Sequence, residues 1–243
     1  MNYKRIMVKL SGGAMAGNKG WGFDPDSLNH IADEVLKLHE KGVEVAVTVG
    51  GGNIFRGELG TQWGIERAEA DNIGMMATVT NSLMLRGVLK ARGDAEVRVM
   101  TAIPINTVAE PFIRLRAIRH MELGYIILLA AGSGNPYVTT DYPSVLRALE
   151  LRCDALLAAK NGTDGVYTGD PNQNSAVRRY RDVDYDTVLQ KNLGALDQAA
   201  VLLARDHDLP IHIFDFDEPG AMEQLCRGEH VGTRIGHLAD TFY

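Results

Sequence analysis

The stretch VEVAVTVGGGNIFRG, residues 43–57, decides the fold. It begins with a nearly continuous apolar run, which is typical of a strand buried on both faces of a parallel sheet. Three successive glycines follow this run, although a glycine inside a regular element costs about 0.5 to 1 kcal/mol relative to alanine. The stretch therefore predicts a buried strand whose end requires close backbone approach or a positive φ.

Apolar runs of the same length recur along the chain. They are YKRIMVKL (3–10), EVRVMTA (96–102), YIILLAA (125–131), ALLAAK (155–160) and IHIF (211–214). Helical spacing of apolar residues from Leu28 to Leu36 predicts a helix between the first two strands, ending at Lys41 and Gly42. Further helices are predicted at about 67–92, 110–122, 143–152 and 195–207. Strands alternating with helices predict an α/β fold, a largely parallel sheet with helices on both sides.

Composition narrows the class of protein. The 243 residues are 45% hydrophobic, enough for a buried core, and neither a repeat nor a low-complexity linker divides them, so one domain over 1–243 is expected. Neither a membrane span nor a signal peptide is evident, which favours a cytoplasmic protein that does not bind membranes. A net charge of -6 argues against nucleic acid as the substrate. Cys153 and Cys226 are expected to be buried free thiols.

Polar and glycine-rich segments follow the predicted strands. In parallel sheets, ligands bind beyond the carboxyl ends of the strands, which is where these segments lie. KLSGGAM, residues 9–15, places Lys9 before Ser11, Gly12 and Gly13, whose backbone N–H groups suit phosphate oxygens. The order of residues excludes a Walker loop, and an ordinary turn explains this loop equally well. Arg56, behind the three glycines of the second loop, adds a cation that can bind phosphate with two hydrogen bonds.

Two further segments complete the candidate site. Asp71 and Gly74 lie one turn apart on a predicted helix, where Asp71 can accept hydrogen bonds from sugar hydroxyls and a neighbouring backbone or ligand is expected against the glycine. The stretch AAGSGNPYVTTD, 130–141, offers hydroxyls, amides and one acid after the most apolar strand. The turn-rich stretch AAKNGTDGVYTGDP, 158–171, can hold a planar base beside Tyr167.

These parts favour phosphoryl transfer between two anionic ligands, with Lys9, Arg56 and Lys160 supplying positive charge. The reaction needs alignment and charge neutralisation, and no serine or cysteine nucleophile with a histidine stands out. The histidines are scattered and predict no metal site. Magnesium is expected to be held mainly by nucleotide phosphates.

Several motifs, in this order, resemble the bacterial uridylate kinases (UMP kinases) of the amino acid kinase superfamily. They are VKLSGGAM, VGGGNIFRG, ADNIGMMATVTNSLML, EPFIRLRAIRHMELG, AAGSGNPYVTTD, DGVYTGDP, ARDHDLPIHIF and GEHVGT, and they span about residues 5–235. The resemblance implies a three-layer α/β/α sandwich of the amino acid kinase type. It also implies a cytoplasmic homohexamer of pyrimidine biosynthesis that makes UDP and ADP from UMP and MgATP, with GTP and UTP as effectors.

The resemblance also implies roles for individual residues. Lys9, Arg56, Asp141 and Lys160 are expected at the reacting groups, with Asp141 orienting the lysines rather than acting as a base. The residues expected to bind ATP are Lys9, Leu10, Ser11, Gly12, Gly52, Arg56, Asn161, Tyr167 and Asp170. The residues expected to bind UMP are Gly51, Arg56, Asp71, Gly74, Ser133, Gly134, Asn135, Thr139 and Thr140.

Departures from the family pattern leave alternatives open. Gly13 stands where the family has glutamate, and Tyr142 and Pro143 follow the TTD motif in place of smaller residues. Tyr142 is expected to add bulk beside the acceptor. One alternative is therefore the same fold acting on a different phosphate monoester. The other is a relative that binds nucleotides or oxyanions without turnover.

Overall fold

The structure, a computed structural model, describes residues 1–169 and 176–243. The described residues form one ten-stranded sheet in the order β10-β7-β9-β8-β6-β1-β2-β5-β3-β4. The strands are β1 Arg5–Leu10, β2 Glu44–Val49, β3 Val97–Thr101, β4 Glu110–Pro111, β5 Ile126–Ala130, β6 Ala155–Lys160, β7 Tyr180–Asp184, β8 Ile211–Asp215, β9 Thr233–Gly236 and β10 Thr241–Phe242. All neighbours pair in parallel except β8 with β9 and β7 with β10, so the predicted largely parallel sheet is confirmed.

Helices cover both faces of this sheet. They are α1 Gly13–Ala16, α2 Pro25–Glu40, α3 Gly57–Gln62, α4 Arg67–Arg92, α5 Arg114–Glu122, α6 Asp141–Glu150, α7 Tyr185–Gln190, α8 Gln198–Asp206 and α9 Ala221–Arg227, with a 3-10 turn at Gly17–Lys19. Helix α2 begins at an Asp24 cap, whose carboxylate accepts the N–H of Ser27 at 3.0 Å. It ends at Lys41 and Gly42, the latter with a φ of +79°, as the sequence predicts.

Successive residues of the central strand enter opposite cores. Ile6, Val8 and Leu10 of β1 pack with α2, α4 and α9, whereas Met7 packs with α5, α6 and α8. Side chains on a strand alternate between its two faces, so a strand that is apolar throughout must be covered on both sides. This arrangement gives the three layers, helix, sheet and helix, that the apolar runs predict.

The predicted starts of three helices are wrong. The helix predicted over 110–122 begins at Arg114, because Glu110 and Pro111 pair with the end of β3 as the short strand β4 at the sheet edge, where a proline is tolerated. Helix α6 begins at Asp141 rather than 143, and ends at Glu150. Helix α8 begins at Gln198 rather than 195, because Asp197 caps it by accepting the N–H of Ala200 at 2.7 Å.

The order of strands brings the loops of interest together. Strand β1 lies between β2 and β6, and β5 lies on the far side of β2. These four strands run parallel, so the loops that follow them meet at one edge of the sheet. From β1 the chain continues to β2 on one side of it and later returns to β6 on the other side. Ligands in such sheets usually bind at the carboxyl end of the strand where the strand order reverses in this way.

Candidate active site

An ion pair lies at the centre of this edge. Lys9, near the end of β1 and 8% exposed, places its Nζ 2.8 Å from Oδ1 of Asp141, the first residue of α6. The other carboxylate oxygen of Asp141 accepts the backbone N–H of Asp197 at 3.1 Å. Asp141 thus bridges the end of β1 and the segment before α8. It contacts Lys9, one of the two lysines that it is expected to orient.

Lys160, the last residue of β6, lies within electrostatic reach of this pair. Burial lowers the pKa of Lys160, the positive charge of Lys9 lowers it further, and Asp141 acts in the opposite direction. Two lysines and one carboxylate leave a local excess of positive charge on an otherwise acidic chain. Such a place favours an anionic ligand.

The first two loops touch through glycines. A Cβ added to Gly12 would lie 2.6 Å from Oδ1 of Asn53 and 2.7 Å from the backbone nitrogen of Gly52. A Cβ on Gly51 would lie 2.7 Å from the carbonyl oxygen of Gly74 on α4. The close approach predicted for the glycine run is thus found at Gly51, and Gly12 is packed as tightly in the facing loop. A Cβ on Gly74 would meet nothing within 4 Å among the described residues, so the neighbouring backbone expected against this glycine is not found, and a ligand there stays a prediction. None of the three successive glycines has a positive φ.

A cavity of about 130 Å³ lies between the second glycine loop, α4 and the loop after β5. The predicted UMP-binding residues that line it are Gly51, Asp71, Gly74, Asn135, Thr139 and Thr140. Gly52, predicted for ATP, lines it too. Arg56 lies outside this lining, is exposed, and donates from Nε to the Gly52 carbonyl at 3.2 Å. Ser133 and Gly134 are also absent from the lining, and the buried Oγ of Ser133 has no partner among the described residues.

Asp71 holds one wall of this cavity. Its carboxylate accepts Nε of Arg67 at 2.9 Å and the backbone N–H of Tyr137 at 2.7 Å. Tyr137 has a φ of +66° and is 67% exposed, and the guanidinium of Arg67 lies 5.9 Å from its ring centre. The hydrogen bond therefore ties the loop after β5 to α4 at the mouth of the cavity.

A second cavity, of about 430 Å³, lies beside Lys160 and is lined by Tyr167 and by residues 191–195. The hydroxyl of Tyr167 donates to Oδ1 of Asp164 at 2.6 Å, and this bond raises the pKa of Tyr167. Asn161 lines a different cleft, with Gly13, His30 and Asp217. Its amide donates to Asp217 at 3.3 Å, and its Oδ1 accepts the hydroxyl of Ser11 in the first glycine loop at 3.3 Å. The structure thus separates Asn161 from Tyr167, and Asp170 lies outside the described residues.

Comparison with known proteins identifies the group to which this site belongs. The amino acid kinase family model matches residues 4–215. The uridylate kinase of Frankia casuarinae is 54% identical over 233 residues, 96% of this chain and 90% of that protein. The chain belongs to the uridylate kinases of the amino acid kinase family. The uridylate kinase of Ruegeria sp. is 46% identical over 235 residues, 97% of this chain and 94% of that protein.

Solved structures agree with this assignment to the uridylate kinases. The crystal structure of UMP kinase from Bacillus anthracis has a TM-score of 0.98 at 54% identity and covers 100% of both chains. The crystal structure of UMP kinase from Ureaplasma parvum has a TM-score of 0.91 at 30% identity and covers 97% of this chain and 100% of that one. The predicted fold class is therefore confirmed.

In this member of the uridylate kinase family, Tyr142 packs away from the 130 Å³ cavity. Its half-buried side chain lies against the core beneath α5, α6 and α8, and it is absent from the lining of the 130 Å³ cavity. Tyr142 therefore adds no bulk to the 130 Å³ cavity, and its expected position beside the acceptor stays a prediction. Because Tyr142 follows Asp141 on α6, the turn of that helix carries it to the sheet-facing side.

Sequence reasoning missed Asp197. Its carboxylate accepts the hydroxyl of Thr139 and the N–H of Ala200, while its own N–H donates to Asp141. An aspartate directly before a helical pattern predicts a cap, but the bonds to Thr139 and Asp141 span 58 and 56 residues. Sequence spacing therefore predicts that Asp197 caps a helix, but it does not predict the contacts of Asp197 with Thr139 and Asp141.

In residues 1–169 and 176–243, no group of three or more His, Cys, Asp and Glu side chains is placed to hold a metal ion. Within the same ranges, no helix combines the length and apolar character that crossing a membrane requires.

Proposed function

We propose that the chain transfers the γ-phosphoryl group of MgATP directly to UMP, giving UDP and ADP. The observation that carries the proposal is the Lys9–Asp141 pair, 2.8 Å long, at the meeting of two glycine loops, with Lys160 beside it. Lys160 lines the larger cavity, and Thr140, next to Asp141, lines the smaller one. A donor and an acceptor in these two cavities would meet at the lysines.

In the transfer, a phosphate oxygen of UMP attacks the γ-phosphorus from the side opposite the leaving group. A new P–O bond forms as the bond to the bridging oxygen of ADP breaks, and no covalent intermediate with the protein is needed. Negative charge spreads over the transferred group and the leaving oxygen. Lys9 and Lys160 neutralise it, and Asp141 keeps Lys9 aimed at it.

For ATP, we assign phosphate contacts to the first glycine loop and base contacts to the cavity beside Lys160. The residues assigned are Lys9, Leu10, Ser11, Gly12, Gly52, Arg56, Asn161, Tyr167 and Asp170. The contact of Gly12 with Gly52 supports a shared phosphate cradle. Asn161 lines a separate cleft but accepts a hydrogen bond from Ser11 of the first glycine loop at 3.3 Å, and Asp170 lies outside the described residues.

For UMP, we assign the smaller cavity, which six of the predicted residues line. The full set is Gly51, Arg56, Asp71, Gly74, Ser133, Gly134, Asn135, Thr139 and Thr140. Asp71 would accept ribose hydroxyls in place of part of its contacts with Arg67 and Tyr137. The unpartnered Oγ of Ser133 is a further group able to bond the nucleotide.

Magnesium would enter with the nucleotide. The carboxylate of Asp141, beside the lysines, is already bonded to Lys9 and to the N–H of Asp197, so it has little capacity left for a cation. The donors present fit a magnesium ion whose ligands are mainly phosphate oxygens and water. When bound, the ion supplies charge neutralisation and alignment of the phosphates.

Assembly and location belong to the same proposal. We infer a single domain over residues 1–243, a cytoplasmic homohexamer serving pyrimidine biosynthesis, and GTP and UTP as effectors. The continuous ten-stranded sheet supports the single domain. Exposed apolar side chains on α4 and α5, among them Met76, Met84 and Leu115, support burial against other copies. Sedimentation velocity at micromolar concentration tests the hexamer.

A coupled assay of UDP formation tests the assigned residues. Arg56→Ala and Asp71→Ala are each expected to lower kcat/KM for UMP at least about tenfold, because each removes a charged contact worth about 1.5 to 3 kcal/mol. Glu69→Ala is the matched control, since this exposed acid lies two residues before Asp71 on the same helix. Equal activity of Asp71→Ala and the control would remove the acceptor assignment.

A further inference from the structure

A buried pair of side-chain amides joins the second glycine loop to the middle of α4. Asn53, in the loop, is 3% exposed, and Asn81, on the helix, is fully buried. Nδ2 of Asn53 donates to Oδ1 of Asn81 at 3.1 Å, and Nδ2 of Asn81 donates to Oδ1 of Asn53 at 2.7 Å. Each amide thus satisfies one donor and one acceptor of the other, as buried polar groups require.

The second hydrogen of each amide reaches a backbone carbonyl. Asn81 donates to the carbonyl of Gly50 at 2.7 Å, and Asn53 donates to that of Gly22 at 2.8 Å. The N–H of Gly22 returns a bond to the backbone carbonyl of Asn53 at 2.8 Å. All four amide hydrogens are therefore used. Aspartate has no donor and leucine has no polar group, so neither can reproduce this set of bonds.

The amide pair also contacts the first glycine loop. Oδ1 of Asn53 lies 2.6 Å from where a Cβ of Gly12 would be, and the carbonyl of Gly50 lies 2.7 Å from the same point. The pair is thus the place where both glycine loops, the turn at Gly22 and helix α4 come together. A displacement of Asn81 would be felt in both loops.

The orientation of Gly51 and Gly52 depends on the amide pair, which holds the carbonyl of the preceding Gly50. The N–H groups of Gly51 and Gly52 donate to no acceptor within residues 1–169 and 176–243, so they are available to a ligand. Glycine has more backbone freedom than any other residue, and three in succession do not fix the direction of these N–H groups by themselves. Holding the Gly50 carbonyl at 2.7 Å fixes the first peptide plane of the run.

We propose that Asn81, through Asn53 and Gly50, is a positioning residue for the phosphoryl-transfer step. The proposal rests on the proposed function, in which these loops cradle the transferred group. Replacing Asn81 is expected to change kcat, because N–H groups aimed at developing charge stabilise the transition state more than they stabilise the bound substrates. A residue that served only the core would change stability and leave kcat per folded molecule unaltered.

The test compares Asn81→Ala with Ser82→Ala. Ser82 is the next residue on α4 and is equally buried, but its hydroxyl donates only within the helix, to the Thr78 carbonyl at 2.9 Å. Asn81→Ala is expected to lower kcat about 10- to 100-fold, as a misplaced reacting group does, with KM for UMP within about threefold. Ser82→Ala is expected to keep kcat within about twofold of the unchanged chain.

A second readout does not depend on turnover. With glycine-selective ¹⁵N labelling, hydrogen exchange of Gly22 and Gly50, whose N–H groups donate to the carbonyls of Asn53 at 2.8 Å and Leu10 at 3.0 Å, is expected to be at least about tenfold faster in Asn81→Ala than in Ser82→Ala. Circular dichroism checks folding, and if Asn81→Ala does not fold, Asn53→Ala leaves α4 intact and is expected to show both effects. Unchanged kcat together with unchanged glycine exchange would overturn the proposal. Faster exchange in Asn81→Ala, together with no UDP formation by the unchanged chain, would uphold the anchor and refute the proposed function instead.

Discussion

Asp141→Asn removes the negative charge that faces Lys9 and keeps the shape of the side chain. In the structure the two groups are 2.8 Å apart, with side-chain exposures of 10% for Lys9 and 17% for Asp141. Asparagine can still accept the N–H of Asp197, so the start of α6 keeps that contact. The change therefore removes the charge of Asp141 and keeps its hydrogen bond with the N–H of Asp197.

The magnitude follows from the distance and the burial. At 2.8 Å and an effective dielectric constant of about 20, the attraction between the charges is about 6 kcal/mol before desolvation is subtracted. Breaking a buried pair typically costs about 3 to 5 kcal/mol, and Lys160 adds repulsion once Asp141 is neutral. We expect the free energy of unfolding to fall by about 3 kcal/mol. We expect kcat to fall about 100- to 1000-fold, because Lys9 is no longer held in position.

Urea unfolding and the coupled assay measure these two quantities. Asp33→Asn is the control, since it makes the same chemical change in an exposed pair with Arg92 at 2.7 Å and should cost less than about 1 kcal/mol. Its kcat should match that of the unchanged chain. If kcat of Asp141→Asn stays within about twofold of the control, the orienting role of Asp141 is refuted.

Three further expectations concern single side chains. Because its pKa is lowered, Lys160 loses its charge at a lower pH than an ordinary lysine, so kcat should decline on the alkaline side. In Lys160→Arg this decline should move to higher pH. A decline at the same pH in both chains would contradict this role of Lys160. Burial lowers the pKa of His212 to about 4 from 6.5, so the unfolded chain binds the proton first and stability is lost as pH falls from about 6.5 to about 4. Urea unfolding should show a loss of about 3 kcal/mol that is absent in His212→Asn, and equal pH dependence in both chains would count against it. Tyr142→Ala should lower the free energy of unfolding by about 2 kcal/mol through lost packing. The ratio of kcat/KM for UMP to that for CMP should stay within about threefold of the ratio for the unchanged chain. A larger change in this ratio would place Tyr142 at the acceptor.

The sequence predicts the central strands better than the edges. Runs such as IIL in β5 are apolar because both faces are covered, and this pattern is visible without a structure. Strand β7, YRDVD, alternates with charged residues, and β4 has two residues, so neither differs from a loop in composition. Helix α4 was predictable over 67–92 because its pattern is long, whereas the starts of α5, α6 and α8 depend on local caps and on the edge strand.

For the site, predictability depends on the kind of contact. Lys9 lies near the end of β1, Gly12 follows that strand, and Asp141 closes the polar stretch that comes after β5, so their sequence positions already place them at the sheet edge. Asn81 is one polar residue within a 26-residue helix, and its partners lie 28 and 31 residues away, so no local pattern identifies it. The direction of Tyr142 depends on where α6 begins, which the sequence places two residues too late.

The most direct test of the central claim is the product formed by the purified chain from MgATP and a panel of acceptors, followed by ³¹P NMR. The panel contains UMP, CMP, dUMP and a non-nucleotide phosphate monoester. We predict conversion of UMP to UDP with kcat/KM at least about tenfold above every other acceptor. Tight nucleotide binding with no UDP, or faster turnover of another acceptor than of UMP, would contradict the account.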